Sequence, residues 1–531
     1  MRPALLLLLA LPVSAPAQVH ADIARGAAED WLTYAGTYSG WRYSPLTQIT
    51  ADNAKNIVPK WVYHVPNARR LQSSPIVYKG VLYVTSTNSV YALDARTGRL
   101  IWQYADPRAQ KGGVNRGAAI WDGKIYFTTS DNYLVALDRN TGGVIFNKKF
   151  ADINLGTTST SAPFAAKGRI IVGSAGGDSG MRGFIMALSA DTGETLWKTY
   201  TVPARGEKGS ETWGDLIEWG GGAAWLSGTY DPDLNTLYWT TGNPWPDYNA
   251  DVRPGDNLYT CSLLALDLDT GKMKWHFQFT PHDTHDWDAQ SWPVLLDTEI
   301  RGQKRKVVLH ATRNGVFYAL DRVTGEFRRA NQLIDKGTWA KGIDDKGRPI
   351  LNPNSDPTPE GNWVCPSVKG ATNWMGQSYN PGTGLLYVLT LEQCGMYYRS
   401  AQKPEPMKNF SGGGATEEGG QVILRALDPK TGNRVWQYPM TGLGRMWTGT
   451  VSTAGGVLFS GDDDGHLVAL DVKNGRHLWH FNMGEMLTAS PVTYSVDGKQ
   501  YVAIASATAV FAFGLFEPAQ SIEPPKITIR K

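Results

Sequence analysis

An all-β fold is predicted by two patterns that recur along the 531-residue chain and by its content of glycine and tryptophan. The first pattern, Ala-Leu-Asp-x-x-Thr-Gly-x-x-x-Trp, occurs in seven related copies, five of which end in Trp. The second is a short apolar run that starts near a Gly or a polar residue, and it occurs eight times. The 58 Gly and 20 Trp are typical of many tight turns between strands, with large aromatic side chains between the layers.

Each copy of the first pattern predicts a β-hairpin. Alternating apolar residues before the Asp, as in Val90–Leu93, indicate a strand with one buried face. The Asp side chain can hydrogen-bond its own backbone and the Gly supplies a positive φ, so the two together make a tight turn. The residues up to the Trp form the returning strand. The copies span 92–102, 136–146, 187–197, 265–275, 319–329, 426–436 and 469–479.

The eight apolar runs predict eight inner strands and therefore eight four-stranded sheets. Repeated units of this kind close into a β-propeller, which protects its sheet edges by forming a ring. An open solenoid and two separate sandwiches are the alternatives. The segment Pro59–Tyr63 is expected to complete the last sheet and so to close the ring. The runs begin near 80, 123, 169, 235, 306, 384, 456 and 500.

The spacing between copies is uneven, and the excess residues are candidates for function. Asp94 and Asp138 are 44 positions apart, whereas Ser189 and Asp267 are 78 apart. Long insertions in a compact domain are usually functional or disordered, and their content of Trp and Gly argues against disorder here. The gap before Asp428 is about double the usual spacing. We expect one unit there to have lost its hairpin motif while keeping the strand after Gly384.

The first residues predict an exported protein. Arg2 precedes the apolar run 4–13, and Ser14–Ala17 fits a cleavage site after residue 17, with residue 21 as the alternative end. The run is too short to anchor the protein permanently in a bilayer, and no later stretch is long enough to span one. We expect residues 22–515 to form one domain, residues 516–531 an extended tail, and the mature protein to lie in the periplasm.

Charge and cysteine content exclude several classes of function. The net charge of +3 argues against a nucleic-acid-binding surface. The three cysteines allow one disulfide with one thiol left over, and there is no Cys-x-x-Cys-His motif for covalent haem attachment.

The stretch Thr280–Ala289 concentrates residues that can carry chemistry. Within seven positions it holds His282, Asp283, His285, Asp286 and Asp288, in a chain where only 19% of residues are charged. Taken alone, such a cluster is a metal site, a general-base site or a polar loop.

Motifs outside the repeats resemble those of the pyrroloquinoline quinone (PQQ) alcohol dehydrogenases, the methanol dehydrogenase-like quinoproteins. The similarity covers nearly the whole mature chain, and the motifs occur in the same order. They are Val-Asn-Arg-Gly at 114–117, the Gly-rich stretch 173–183, Thr-Trp-Gly at 212–214, Gly-Asn-Pro at 242–244, Asp-Trp-Asp at 286–288, Thr-Arg-Asn-Gly at 312–315 and Trp-Thr-Gly at 447–449.

The resemblance implies a binding site for PQQ, a flat tricarboxylate with an ortho-quinone. It makes Trp213 the stacking floor and places Arg313 beside the quinone oxygens, where a cation stabilises the charge that develops on reduction. The other positions implied to contact the cofactor are Gln72, Arg116, Thr160, Ala175, Gly176, Gly177, Asn373, Trp374 and Trp447.

The resemblance also implies a cation held by Asp178, Asn243 and Asp286, which offer the hard oxygen ligands that Ca²⁺ requires. Asp178 stands where Glu is usual in the family, and the shorter side chain leaves direct ligation open. Asp288 stands where calcium-type members have a small uncharged residue. An added carboxylate matches the lanthanide-dependent members, so a lanthanide is the expected ion and Ca²⁺ the alternative.

The implied reaction is oxidation of an alcohol, with Asp286 as the general base. Primary alcohols are expected substrates, and polyols or sugars are nearly as well supported. Without a haem, electrons are expected to leave to a separate acceptor, a soluble cytochrome c. The family resemblance pairs Cys365 with Cys394, while Cys261 is expected to be a buried free thiol. The alternative function is a non-catalytic propeller scaffold of envelope assembly.

The adjacent cysteines that many family members carry are absent from this chain. The matching positions are Gln110 and Lys111. Their polar side chains are consistent with a more open entrance to the site and therefore with larger polyol or sugar substrates.

Overall fold

The computed structural model describes residues 15–26, 28–108, 113–403, 405–408, 410–445 and 448–517. Within them the chain is nearly all β and forms eight sheets of four strands, with a fifth strand in the seventh sheet. The strands are antiparallel, except that Tyr43–Ser44 runs parallel to its neighbour in the seventh sheet. Buried apolar side chains fill the space between successive sheets.

The first four sheets follow one another along the chain. In hydrogen-bonding order they are Ile76–Tyr78, Val81–Ser86, Ser89–Asp94 and Leu100–Ala105 (sheet 1); Ala119–Trp121, Lys124–Thr128, Tyr133–Asp138 and Val144–Lys149 (sheet 2); Phe164–Ala166, Arg169–Gly173, Phe184–Ser189 and Thr195–Tyr200 (sheet 3); and Thr229–Asp231, Thr236–Thr240, Ser262–Asp267 and Met273–Gln278 (sheet 4).

The other four sheets include two strands from the N-terminal part of the chain. They are Val294–Ile300, Gln303–Ala311, Val316–Asp321 and Phe327–Gln332 (sheet 5); Ser378–Asn380, Leu385–Glu392, Gln421–Leu427 and Arg434–Pro439 (sheet 6); Tyr43–Ser44, Val451–Thr453, Val457–Gly461, His466–Asp471 and His477–Asn482 (sheet 7); and Val492–Val496, Lys499–Ser506, Ala509–Leu515 and Ile57–His64 (sheet 8).

Smaller elements lie between these sheets. Two small sheets consist of Ala340–Ile343 with Pro349–Leu351 and of Asn362–Val364 with Gly395–Arg399 and Gly413–Glu417. The helical segments are the α-helix Ala15–Arg25 and the 3₁₀ turns Ala54–Asn56, Ile153–Leu155, Gly177–Ser179, Ser210–Thr212 and Ile217–Trp219.

The expected pairing between the two ends of the chain is present. Ile57–His64 runs antiparallel to Ala509–Leu515, with Val62 opposite Phe511. The N-terminal strand thus supplies the fourth strand that the last repeat lacks.

Two details of the predicted repeat are wrong. The eight apolar runs do not begin their sheets, because another strand, such as Ile76–Tyr78, directly precedes each run and pairs with it. The unit after Gly384 has also kept its hairpin, because Leu385–Glu392 pairs directly with Gln421–Leu427, the strand that leads into the Asp428 turn. The long gap before Asp428 is therefore an insertion, and it contains the two small sheets.

A Trp in five of the eight sheets packs on the turn Gly of the next sheet. Trp102 of sheet 1 lies against Gly142 of sheet 2, and a Cβ added there would lie 2.6 Å from the indole. Its Nε1 donates to the carbonyl of Arg139, the residue after the turn Asp, at 2.9 Å. Trp61, Trp197 and Trp436 donate to the equivalent carbonyl of the next sheet.

Sheet 5 replaces this Trp by Arg329 and keeps the contact. Its guanidinium packs on Gly432 and donates to the carbonyl of Pro429, again the residue after the turn Asp, at 2.9 Å. A flat side chain therefore fills this position without having to be an indole, and the N–H bond is not common to every sheet, because Phe146 of sheet 2 packs on Gly193 without a donor.

Replacing Gly142 by alanine is expected to destabilise the protein by more than the backbone strain alone. Gly142 has φ +73°, and a left-handed non-glycine residue costs about 1–3 kcal/mol. The added methyl must also displace the Trp102 indole, and overpacking of this kind costs about 1–3 kcal/mol more. Gly123 in the same sheet has the same φ of +73° and nothing within 4 Å of an added Cβ.

Gly123→Ala is therefore the matched control, because it carries the backbone strain without the contact. We expect the thermal midpoint of Gly142→Ala to fall clearly below that of Gly123→Ala. Equal midpoints for the two variants would show that the indole contact contributes no stability.

The N-terminal helix spans both predicted cleavage points. Residues 1–14 lie outside the described part of the chain. Beyond residue 18 the helix packs on the protein, because Val19 and Ile23 are buried and His20 hydrogen-bonds the hydroxyl of Tyr38 at 2.9 Å. No helix within the described residues is both long and apolar enough to cross a membrane.

Candidate active site

One cavity of about 330 Å³ collects most of the predicted site residues. Its walls are formed by loops that connect the strands of several different sheets. The lining residues are Arg116, Thr158, Thr160, Ala175, Gly176, Gly177, Asp178, Ala223, Trp225, Asn243, Asp286, Asp288, Arg313, Asn373 and Trp374.

The Gly-rich stretch between the second and third strands of sheet 3 brings Asp178 to the cavity. Gly176 adopts φ +101°, which favours glycine, and it begins the 3₁₀ turn Gly177–Ser179. Asp178 lies in this turn and its side chain is exposed to the cavity. Burial within the protein and the nearby carboxylate of Asp288 raise the pKa of Asp178 to about 6, and Arg313 opposes the shift.

Asp283 shapes the loop that presents Asp286. Its carboxylate accepts hydrogen bonds from the backbone N–H groups of His285, at 3.3 Å, and Trp287, at 2.9 Å. The His285 ring stacks on Trp287 with centroids 4.2 Å apart, and its Nε2 lies 2.7 Å from the carbonyl of Ser355. Asp283 and His285 therefore have structural roles in this loop, as does His282, whose ring contacts the carbonyl of Gly255.

Asp286 lies between Asp283 and Asp288 in an unusual backbone conformation. Its φ is +58°, in the left-handed region that Asp and Asn tolerate better than most residues. Burial raises the pKa of the Asp286 carboxyl well above its ordinary value, Arg313 lowers it, and the carboxylates of Asp288 and Asp178 raise it further.

Asp288 is held by three donors. Its Oδ1 accepts from the backbone N–H of Asn243 at 2.8 Å. Its Oδ2 accepts from Nε1 of Trp225 at 3.1 Å and from Nη1 of Arg313 at 2.7 Å. This carboxylate therefore connects the aromatic wall, the asparagine loop and the arginine of the cavity.

Arg313 faces both aspartates. Its Nη1 lies 2.7 Å from Oδ2 of Asp288 and 3.7 Å from Oδ1 of Asp286. Its Nη2 donates to the carbonyl of Val368 at 2.7 Å, and Gly370 leaves room for the side chain, since a Cβ there would lie 2.5 Å from Cβ of Arg313. The guanidinium is thus fixed at the cavity wall.

A second cation lies between two indole rings. The guanidinium carbon of Arg116 is 4.7 Å from the ring centroid of Trp225 and 4.8 Å from that of Trp374. Burial lowers the pKa of Arg116 to about 10, so it stays charged at neutral pH. Its Nε is buried without a hydrogen-bond partner in the structure. The cavity therefore combines flat aromatic surface with a cation suited to an acidic, planar molecule.

Comparison with known proteins places the chain in a family. The model of the PQQ-dependent glucose/ethanol/alcohol dehydrogenase β-propeller domain matches residues 31–327 and 439–502. The quinoprotein alcohol dehydrogenase PedH of Pseudomonas putida is 39% identical over 503 residues, covering 88% of this chain and 84% of PedH. The chain belongs to the PQQ-dependent alcohol dehydrogenases.

Solved structures of the family have the same fold. The quinohemoprotein alcohol dehydrogenase of Comamonas testosteroni has a TM-score of 0.87 and 33% identity, covering 94% of this chain and 83% of that one. A europium-containing methanol dehydrogenase has a TM-score of 0.88 and 29% identity, covering 94% and 100%. These relatives are named as enzymes, so the comparisons do not support the non-catalytic scaffold as the alternative function.

The prediction that Trp213 forms the floor of the site disagrees with the structure. Trp213 does not line the cavity but packs with Val202 and Ile217, and its Nε1 bonds the carbonyl of Leu258. Trp225 occupies the cavity wall instead. Both lie in the same long insertion, and motif order alone does not indicate which of the two lines the cavity.

Two other predicted cofactor-binding positions, Gln72 and Trp447, are not among the lining residues. Gln72 is 4% exposed and its Oε1 is buried without a partner, two positions before Ser74, whose N–H bonds the carbonyl of Arg116. Trp447 lies outside the described residues, as do Gln110 and Lys111.

Sequence reasoning missed four residues at or beside the cavity: Thr158, Ala223, Trp225 and Asp247. The signal for Trp225 is the run Gly220–Gly222 just before it, since a glycine run next to a Trp indicates a close approach of backbone and ring. Asp247 gives no comparable signal, and only its contact with Asn243 reveals it.

The cysteines pair as the family resemblance implies. Cys365 and Cys394 form a disulfide, and Cys261 is a buried free thiol. Cys365 precedes the loop that contains Val368, whose carbonyl accepts a hydrogen bond from Arg313. The disulfide joins this loop to the end of the second strand of sheet 6.

The donors at the cavity fit the two groups that the family implies. The cation site would draw on oxygen atoms only, from Asp178, Asn243, Asp286 and Asp288, as a hard ion requires. Within the described residues, no three acidic, histidine or cysteine side chains converge as a metal-binding group by themselves. An ion here would therefore depend on the amide oxygen of Asn243 as well. The unpaired Nε of Arg116 and the two indoles fit PQQ, a flat polyanion.

Proposed function

We propose that this protein oxidises primary alcohols to aldehydes, with secondary alcohol groups of polyols or sugars as a second substrate class that gives ketones. The observation that carries the proposal is one cavity in which a carboxylate, Asp286, and a fixed cation, Arg313, face the same space as the indoles of Trp225 and Trp374. Turnover of ethanol against glycerol and glucose by the reconstituted enzyme separates the two substrate classes.

PQQ would be the redox cofactor of this proposal and, when bound in this cavity, would supply a two-electron acceptor for the hydride of the alcohol carbon. Trp225 supports its plane, and Arg116 with Thr160 and Asn373 binds its acidic groups. Ala175, Gly176 and Gly177 line the same cavity without large side chains, so a planar ring system can approach their backbone.

Asp286 acts as the general base and takes the proton of the substrate hydroxyl. The group must be ionised to do so, whereas burial raises its pKa. Arg313 at 3.7 Å favours the ionised form, and a cation bound to the same carboxylate acts in the same direction. Arg313 also stabilises negative charge that develops beside it during the reaction.

The ion of this site is Ca²⁺ or a lanthanide, and Asp288 favours a lanthanide. A trivalent ion gains more from an added carboxylate than Ca²⁺ does, and it is the stronger Lewis acid. The related methanol dehydrogenase of known structure contains europium, which supports this choice.

The contacts of Asp288 limit how it can bind the ion. Each carboxylate oxygen has two lone-pair sites. Both sites of Oδ2 are used by Trp225 and Arg313, while Oδ1 has one donor, the N–H of Asn243. Asp288 can therefore ligate through Oδ1 alone unless Arg313 withdraws.

Apoprotein loaded with PQQ is expected to turn over ethanol about tenfold faster with La³⁺ than with Ca²⁺, the lower end of what changes around a metal site produce. The measurement is the rate of reduction of an artificial electron acceptor after reconstitution with each ion. Asp288→Asn should bring the ratio of the two rates close to one, because the charge that favours a trivalent ion is lost. Full activity with Ca²⁺ and no gain with La³⁺ would contradict the lanthanide assignment.

The eight sheets form, in this proposal, the eight blades of a closed propeller. Trp61 of sheet 8 donates to the carbonyl of Ala95 in sheet 1 at 3.1 Å, in the same way as Trp102 links sheets 1 and 2. Between sheets 7 and 8, Trp479 packs on Phe513 with ring centroids 5.5 Å apart. Tryptophan contacts therefore link sheet 7 to sheet 8 and sheet 8 to sheet 1, which supports a closed ring.

The protein is proposed to work in the periplasm after removal of residues 1–17 and to pass its electrons to a soluble cytochrome c. Buried Val19 supports cleavage after residue 17 rather than 21, because the later cut would remove a packed side chain. The N-terminal sequence of the mature protein tests the cleavage point.

A further inference from the structure

Asp247 is a buried carboxylate to which the proposed reaction gives no role. It is 2% exposed, and its Oδ1 accepts a hydrogen bond of 2.7 Å from Nδ2 of Asn243. Arg253 is close, but its guanidinium donates to the carbonyls of Pro246 and Asp283 and to Oδ1 of Asn257. A buried carboxylate is costly unless hydrogen-bonded, and that of Asp247 is served by the side chains of Ser411 and Asn243, of which Asn243 lines the cavity.

The contact fixes the direction of the Asn243 amide. Nδ2 faces Oδ1 of Asp247 and also the carbonyl of Pro244 at 3.3 Å. Carbonyl and carboxylate oxygens accept hydrogen bonds, so turning the amide over would set Oδ1 of Asn243 against two oxygens. Oδ1 is therefore directed to the other side, near Gly177, where an added Cβ would lie 3.9 Å from it.

We propose that Asp247 is a positioning residue for the cation site, which holds the amide of Asn243 so that Oδ1 faces the ion. The inference deepens the proposed function and rests on it. Partners behind a metal ligand fix its orientation and raise its basicity, and a negative charge accepting from Nδ2 makes Oδ1 the better donor to an ion.

Metal affinity of the full-length apoprotein tests this role without relying on turnover. Terbium(III) chloride is titrated while its emission, excited through nearby tryptophans, is recorded, and calcium chloride is added in competition. Asp247→Ala is expected to weaken terbium binding about 10- to 100-fold. Asp247→Asn keeps an acceptor oxygen but loses the charge, and we expect an intermediate loss.

Asp251→Asn is the control in the same loop. Asp251 pairs with Arg399 at 2.8 Å, and its side chain is 64% exposed. Its replacement removes one negative charge without touching Asn243, so terbium affinity should stay within about twofold of wild type.

A double variant distinguishes positioning from a general structural effect. If Asp247 acts through Asn243, Asp247→Ala should weaken terbium binding by less than about twofold when Asn243 is already alanine. A loss of the same size in both backgrounds would show that Asp247 does not act through this ligand, and would overturn the inference.

Other outcomes separate this inference from the proposed function. Wild-type affinity in a folded Asp247→Ala variant, judged by near-ultraviolet circular dichroism, contradicts the positioning role alone. If that variant does not fold, wild-type affinity in Asp247→Asn contradicts it instead. A wild-type apoprotein that binds neither terbium, calcium nor PQQ contradicts the proposed function, and the inference with it.

Discussion

Asp286→Asn is expected to reduce alcohol turnover by about 10²- to 10⁴-fold, because an amide cannot accept the substrate proton. Asparagine suits this position since the residue has φ +58°, which Asn adopts as readily as Asp. The side chain keeps an oxygen at the cavity, so binding of PQQ should survive. The measurement is kcat with ethanol beside the absorption spectrum of the bound cofactor.

Two controls make the result for Asp286 interpretable. The metal content of the variant must be measured, because Asp286 is also a proposed ligand and lost metal would lower the rate indirectly. Supplementing the assay with excess La³⁺ or Ca²⁺ removes that ambiguity. More than a tenth of wild-type turnover in a variant loaded with metal and PQQ would show that another group takes the proton.

Trp225→Ala is expected to weaken binding of PQQ to the apoprotein by about 100-fold or more. A buried aromatic side chain contributes several kcal/mol through the area it covers, with about 0.5–1.5 kcal/mol more for ring stacking. The variant also removes the indole that donates to Asp288 at 3.1 Å and the ring that packs on Arg116 at 4.7 Å. Quenching of protein fluorescence during PQQ titration gives the affinity.

Trp213→Phe is the matched comparison for this experiment. Phenylalanine keeps an aromatic ring against Val202 and Ile217, and it loses the bond to the carbonyl of Leu258 and the outer indole atoms that face Gly220. PQQ affinity should remain within about twofold of wild type. The opposite pattern, with Trp213→Phe impaired and Trp225→Ala unaffected, would restore Trp213 as the stacking residue.

The repeat could be predicted from the sequence because the residues that form each hairpin lie close together in the chain. A strand, an Asp-x-x-Thr-Gly turn and a returning strand all lie within about a dozen residues, so periodicity and turn chemistry define each hairpin. The predicted strand order was wrong where it depended on residues outside a single hairpin. Three-residue first strands such as Ile76–Tyr78 carry too little pattern, and the insertion before Asp428 was mistaken for a damaged repeat.

The resemblance to a family supplied most of the residues that line the cavity, and it failed where it rested on position alone. Trp213 and Trp225 lie twelve positions apart in one insertion, but only Trp225 lines the cavity. The local sequence of an irregular loop does not predict toward which side the loop directs its tryptophan ring.

By itself the sequence determined an all-β chain of repeated hairpins, the N-terminal strand that completes the last sheet, and the set of loops that hold the chemistry. These follow from short-range patterns and from burial, which every repeat expresses in the same way. The tertiary structure decided which tryptophan lines the cavity, that Asp288 accepts from three donors, and that Asp247 accepts a hydrogen bond from Asn243. Those relations join residues from different sheets and irregular loops, where packing rather than local propensity sets the direction of each side chain.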